Sequence, residues 1–167
     1  MNVTKQVPNE ILLPIVREEI AAGKSVTLIV RGNSMNPFLV DRRDKVTIAP
    51  FTFPQPQLGD FVLAYEADTG RYLLHRFVRR ASNGDCILLG DGNLKGTTER
   101  ILPTDMIGVV TEMQRKGTLY STSSRTWRCY SFLWKLLTPL RRYPLGAWRR
   151  LFLKHLYNEE ERRIYST

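Results

Sequence analysis

The sequence predicts a mainly β protein: an antiparallel sheet that curls on itself, with one helix before it and a pair of amphipathic helices after it. Three observations carry this reading. Short runs of β-branched and aliphatic residues recur between 25 and 113. Turn signals separate them: Gly59-Asp60, Thr69-Gly70, Asn83-Gly84-Asp85 and Gly90-Asp91-Gly92-Asn93. Outside this region apolar residues take the three- and four-residue spacing of helices.

The first helix is predicted over about 9–22. In NEILLPIVREEIAAGKS, Asn9 can cap it, Ile11, Leu12, Ile15, Val16 and Ile20 fall near helical spacing, and Gly23 ends it. Pro14 lies in the first turns, where its missing N–H matters less. The strand-like runs are SVTLIV (25–30), KVTIAP (45–50), DFVLAY (60–65), YLLHRFVRR (72–80), DCILLG (85–90) and MIGVVTEM (106–113). Many short strands at this spacing favour an antiparallel sheet closing on itself. RKGTLYSTSSRT, Arg115 to Thr126, reads as a polar linker between a β-rich domain (1–118) and a basic helical tail (119–167).

Charge marks the same boundary. The chain carries a net +9; residues 1–118 hold 15 Lys/Arg against 13 Asp/Glu, and 119–167 hold 10 against 3. All three tryptophans, Trp127, Trp134 and Trp148, lie in the tail. There Arg128, Ser131, Lys135, Thr138 and Arg142 form one polar helical face, and large apolar residues cover the rest. Pro144 and Gly146 interrupt the pattern, and a second helix is predicted from about Ala147 to Tyr157. Basic residues beside tryptophans suggest that 127–157 lies on an anionic membrane surface. Packing on the β domain or on a partner protein has equal weight. Nucleic acid fits less well, because basic and large apolar residues alternate instead of forming one stripe.

No run approaches the roughly 20 apolar residues of a membrane span. MNVTKQVPNE has no apolar stretch flanked by basic residues, so the chain is expected in the cytoplasm, with peripheral membrane contact at most. Cys86 and Cys129 are read as free thiols, and neither has a Cys or His at metal-ligand spacing. No metal or cofactor is expected.

The stretch RGNSMNPFLV, Arg31 to Val40, places a serine in a small-residue turn directly after an apolar strand. A serine hydroxyl attacks a carbonyl only with a base beside it. The chain has two histidines: His155 on the basic tail, best read as a surface residue, and His75 in the strand-like YLLHRFV. Taken alone, His75 is more often a hydrogen-bonded structural residue. Asp91, in LLGDGN, reads either as a hairpin turn residue or as the carboxylate that orients His75. Asp60, in LGDF, is read as a turn, and Arg42, Arg43, Arg79 and Arg80 as solvated faces.

The order of these pieces is more specific than any one of them. GNSMNPF, LGDFVLA, LHRFV, LLGDGN and MIGVV closely resemble, in that order, the signal-peptidase and LexA superfamily of serine peptidases, from about Ser25 to Val110. The resemblance implies a coiled, half-barrel-like antiparallel fold with a peptide-binding edge and a serine nucleophile. Its bacterial signal peptidases and LexA-type repressors use a Ser–Lys dyad. The His75-Arg76 pair here is similar to the Ser–His signal peptidases of the endoplasmic-reticulum and archaeal kind. On that likeness Ser34 is the nucleophile and His75 the base. The oxyanion would be held by backbone N–H groups of the loop at Gly32, Asn33 and Ser34, with help from the Asn33 side chain, and Met35 would anchor the loop in the apolar interior. The Ser–His branch has a further acidic residue about six positions after its late Gly-Asp; here that place is Thr97. Asp91 is therefore the first choice of third member, Glu99 the second, and a bare dyad the third. The expected activity is removal of a leader or signal segment. The alternatives are a LexA-like self-cleaving regulator and a peptide-binding module without catalysis.

Overall fold

The computed structural model describes residues 9–52, 56–93, 97–136, 143 and 147. The strands are β1 (Val26–Ile29), β2 (Asp44–Ala49), β3 (Phe61–Glu66), β4 (Arg71–Arg80), β5 (Cys86–Leu89), β6 (Thr98–Ile101), β7 (Met106–Arg115) and β8 (Thr118–Ser121). They form one antiparallel sheet in the order β1-β2-β7-β3-β4-β5-β6, with β8 also paired to β7. Register shifts at Thr47/Ile48, Leu63/Ala64 and Phe77/Arg79 add local twist, which curls the sheet into a half-barrel. The fold is the mainly β one expected from the sequence.

Two strands were not foreseen. β6 is TERI, mostly polar, with only Ile101 buried. β8 lies inside the stretch read as a linker: the pair Arg115↔Thr118 closes a two-residue turn, with Lys116 and Gly117 both at positive φ.

The core has two apolar clusters. The larger gathers Val16, Ile20, Met35, Phe38, Ile48 and Leu63 with residues of β7. The smaller gathers Val62, Ala64, Phe77, Cys86, Leu88 and Val109. Helix α1 (Asn9–Ala21) delivers Val16 and Ile20 to the larger one. It ends in a Schellman motif: Lys24 N–H donates to Glu19 O (3.0 Å) and Gly23 N–H to Ile20 O (2.9 Å). Cys86 and Cys129 are both free thiols, the first buried and the second exposed.

Helix α2 (Arg125–Leu136) packs on the domain. Phe38 is the contact point, with ring centroids 5.9, 5.0 and 5.5 Å from Trp127, Tyr130 and Trp134. Of the face read as polar, Ser131 is turned inward and buried, while Arg128 stays exposed and donates to Gln57 Oε1. Trp127 and Trp134 flank Ser131 at helical spacing, and their large apolar areas outweigh one hydroxyl. The outward face carries Phe132, Leu133 and Leu136, which are 65%, 49% and 67% exposed. Of the predicted second helix, about 147–157, all but its first residue, and His155 with them, lie outside the described residues.

Asp44 ties the segment after the serine turn to β7. It is fully buried, and its carboxylate accepts from Arg43 Nε (2.9 Å), Arg115 Nη2 (2.9 Å) and Val40 N–H (2.9 Å). Arg43 is thus a partner of a buried charge, not a solvated residue. Burial pushes the Asp44 carboxyl up, but the hydrogen bonds from Arg43, Arg115 and Val40, with the Arg115 charge, together hold it below the usual carboxylate range. A carboxyl with a depressed folded-state pKa stabilises the fold above its unfolded pKa, about 4, and that contribution disappears as pH falls through the folded value. Melting temperature is therefore expected to drop as pH falls below about 4. In Asp44→Asn this acid-side dependence should be smaller and the plateau lower, as read by thermal melts across pH. An unchanged dependence would exclude Asp44 as its source.

Candidate active site

Ser34 lies at the exposed part of the turn between β1 and β2, with buried Met35 beside it. Met35 packs in the larger core cluster, so the loop is pinned from beneath while Ser34 itself is exposed. Gly32 has φ +85°, a left-handed conformation that side chains other than Gly, Asn and Asp rarely take. Its N–H is already committed to Asp41 Oδ1 at 2.8 Å, so it is not available to an oxyanion. Among the described residues the N–H groups of Asn33 and Ser34 donate to no acceptor. The Asn33 side-chain oxygen accepts from Asn36 Nδ2 at 3.0 Å, and Asn36 is fully buried.

The late glycines hold this loop. Gly92 N–H donates to Ser34 O at 2.7 Å. A Cβ on Gly90 would sit 2.8 Å from Ser34 O and 3.1 Å from His75 Nε2, so serine loop and imidazole flank the same point. A Cβ on Gly92 would run into Asn33 O. Glycine is required at both positions by close approach, a role the turn reading of LLGDGN did not anticipate.

His75 is in β4, opposite Val62 of β3, and its side chain is 8% exposed. Its Nδ1 lies 3.0 Å from Glu99 Oε2. Glu99 stands on β6, where it pairs with Leu88 of β5, so its side chain reaches back over β5. The carboxylate on the imidazole is therefore Glu99 and not Asp91. Glu99 is two residues past Thr97, and a two-residue shift in extended chain keeps a side chain on the same face.

Asp91 belongs to Arg76. Arg76 Nε donates to Asp91 Oδ1 (2.8 Å) and Oδ2 (3.1 Å), and Nη2 to Oδ2 (2.5 Å). Arg76 and Asp91 are 2% and 1% exposed. Arg76 Nη1 also donates to Gly59 O (2.9 Å), and its guanidinium lies over the rings of Phe38 (4.8 Å) and Phe61 (4.4 Å). The four sequence boxes NPF, LGDF, HRF and LLGDG therefore meet at one buried arginine. Successive strand residues point to opposite faces, so His75 and Arg76 serve different clusters. Asp60 is a turn residue, as expected: its Oδ2 accepts from Gln57 N–H at 2.7 Å. Burial pushes its carboxyl up, against the pull of that bond and of Arg128 and Arg76.

Ser34 and His75 line one apolar cleft of about 140 Å³. β1 and the Arg71–His75 part of β4 border it, and each is paired on one side only among the described residues. An extended peptide could add to either open edge. No protein-family model and no curated protein matches this chain.

Proposed function

We propose that the chain is a serine endopeptidase, similar to the signal-peptidase and LexA superfamily, that cleaves a leader or signal segment through an acyl-enzyme. The observation that carries this reading is the shared cleft: exposed Ser34 and buried His75 line it between two open strand edges, with Glu99 on the far nitrogen of the imidazole. His75 Nε2 takes the Ser34 proton as Oγ bonds to the scissile carbonyl carbon. The Asn33 and Ser34 N–H groups receive the oxyanion. His75 then gives its proton to the departing amine as the C–N bond breaks, and water, deprotonated by His75, releases the acid and restores Ser34. Glu99 fixes the tautomer with the proton on Nδ1 and stabilises the imidazolium in between. A time course of the purified chain with added peptides tests this. Turnover of added peptide supports the peptidase; self-cleavage in cis indicates a LexA-like regulator; tight binding without cleavage indicates a peptide-binding module.

We also propose that the chain works at a membrane surface through the outward face of α2. Among the described residues no helix is long and apolar enough to cross a membrane. The outward face of α2 exposes Phe132, Leu133 and Leu136, within a segment of ten basic against three acidic residues. Such a face inserts shallowly, and each basic residue near an anionic surface adds about 1 kcal/mol at low salt. The full chain is expected to float with vesicles containing phosphatidylserine at low salt, less so at high salt. Phe132→Ser/Leu133→Ser/Leu136→Ser should float poorly with its melting temperature unchanged. Equal flotation of the triple variant would remove this face from the membrane role.

A further inference from the structure

We infer that the cleft beside Ser34 selects a large apolar side chain of the substrate, and that Leu12 and Leu13 of α1 are specificity-determining residues; this rests on the peptidase reading. The superfamily resemblance begins near Ser25, so α1 lies outside it, and by itself it implies small residues before the cut. The cleft is built for something larger. At about 140 Å³ it is close to the ~150 Å³ apolar cavity known to take benzene. Leu13, Leu28, Tyr72 and Leu74 line it as partly exposed side chains, over the buried Ile48 and Leu63. Arg31 and His75 are the only basic lining residues, and no acidic residue lines it, among those described. A charged side chain would lose its hydration there without a partner in the floor.

Helix α1 makes this wall because it is fixed in place. Val16 and Ile20 are in the core, and Leu12, one turn earlier on the same stripe, packs against that cluster. Leu13 is next to Leu12, partly exposed and outside the core clusters, so its apolar surface is free to meet a ligand. The helix therefore turns an open sheet edge into a walled pocket.

The test uses the full chain and extended peptides in which each position before the cut is in turn Ala, Val, Leu, Phe, Lys or Glu, with products read by mass spectrometry. At one position Leu or Phe is expected to exceed Ala by about tenfold or more in kcat/KM, because several buried methylenes are involved. Leu13→Lys should lower that preference and raise cleavage of the Glu peptide, with an unchanged melting temperature, since Leu13 is not a core residue. Leu12→Ala should weaken the preference in the same direction. Cleavage restricted to Ala at every position, or a profile unmoved by Leu13→Lys, overturns the inference while the peptidase stands. The same peptides are measured for binding to Ser34→Ala. Binding that prefers Leu or Phe and is lost in Ser34→Ala/Leu13→Lys, without cleavage by the unmodified chain, keeps the pocket and removes the peptidase. Neither cleavage nor binding removes both.

Discussion

Ser34→Ala is expected to lower kcat for peptide cleavage by on the order of 10⁴- to 10⁶-fold. The melting temperature should stay within about 2 °C, since exposed substitutions change stability by only about 0.5 kcal/mol. Ser34 is exposed, its loop is held through Met35 and Gly92 rather than through its hydroxyl, and truncation leaves no cavity. His75→Ala should lose activity on the same scale, because among the described residues lining the cleft the imidazole is the one base beside Ser34. His75→Lys should not restore it. An ammonium at this place would meet the Glu99 carboxylate, which now lies 3.0 Å from Nδ1, and the pair would hold the proton on nitrogen. Steady-state kinetics with circular dichroism as a check on folding decides the matter. Full activity in either alanine variant ends the serine-peptidase reading.

Asp91→Ala is expected to cost about 3–5 kcal/mol of folding free energy, because it leaves the Arg76 guanidinium buried without its counter-charge. For a chain of this size that is a fall in melting temperature on the order of 10 °C. The loss should spread to the serine loop, since Arg76 joins Gly59, Phe38 and Phe61 to the late glycine box. Replacing both partners, as Arg76→Met/Asp91→Leu, should recover much of the stability, because an apolar pair removes the orphaned charge. Glu99→Ala should behave oppositely. Glu99 is on a short, mostly polar strand, so the fold should persist while kcat falls about 10²- to 10⁴-fold with little change in KM. A stable Asp91→Ala protein without activity, beside a fully active Glu99→Ala protein, would return Asp91 to the catalytic role.

That contrast divides what could be read along the chain from what required its packing. Local rules were enough for helix α1, for six of the eight strands, and for a serine in a small-residue turn with a histidine on a strand. Period-two and period-3.6 patterns and turn chemistry act over a few residues, so they are written in consecutive letters. β6 and β8 escaped because neither shows an apolar run: TERI is mostly polar and TLYS lies within a Gly/Ser/Thr-rich stretch, whereas the equally short β1 and β5 are the apolar VTLI and CILL. The partner of His75 was beyond local reading altogether. Asp91 and Glu99 are both carboxylates near a turn, and which one meets the imidazole depends on the register of β4 on β5 and of β5 on β6. That register turns His75 toward Glu99 and the next residue, Arg76, toward Asp91. Likewise the helical stripe of α2 was legible, but not which stripe faces inward. The aromatic group around Phe38 decides that, because burying Trp127 and Trp134 outweighs exposing Phe132, Leu133 and Leu136. The sequence by itself determined the mainly β class, helix α1 and six of the strands; the tertiary structure decided which charges meet, because strand register and helix facing depend on contacts far apart in the chain.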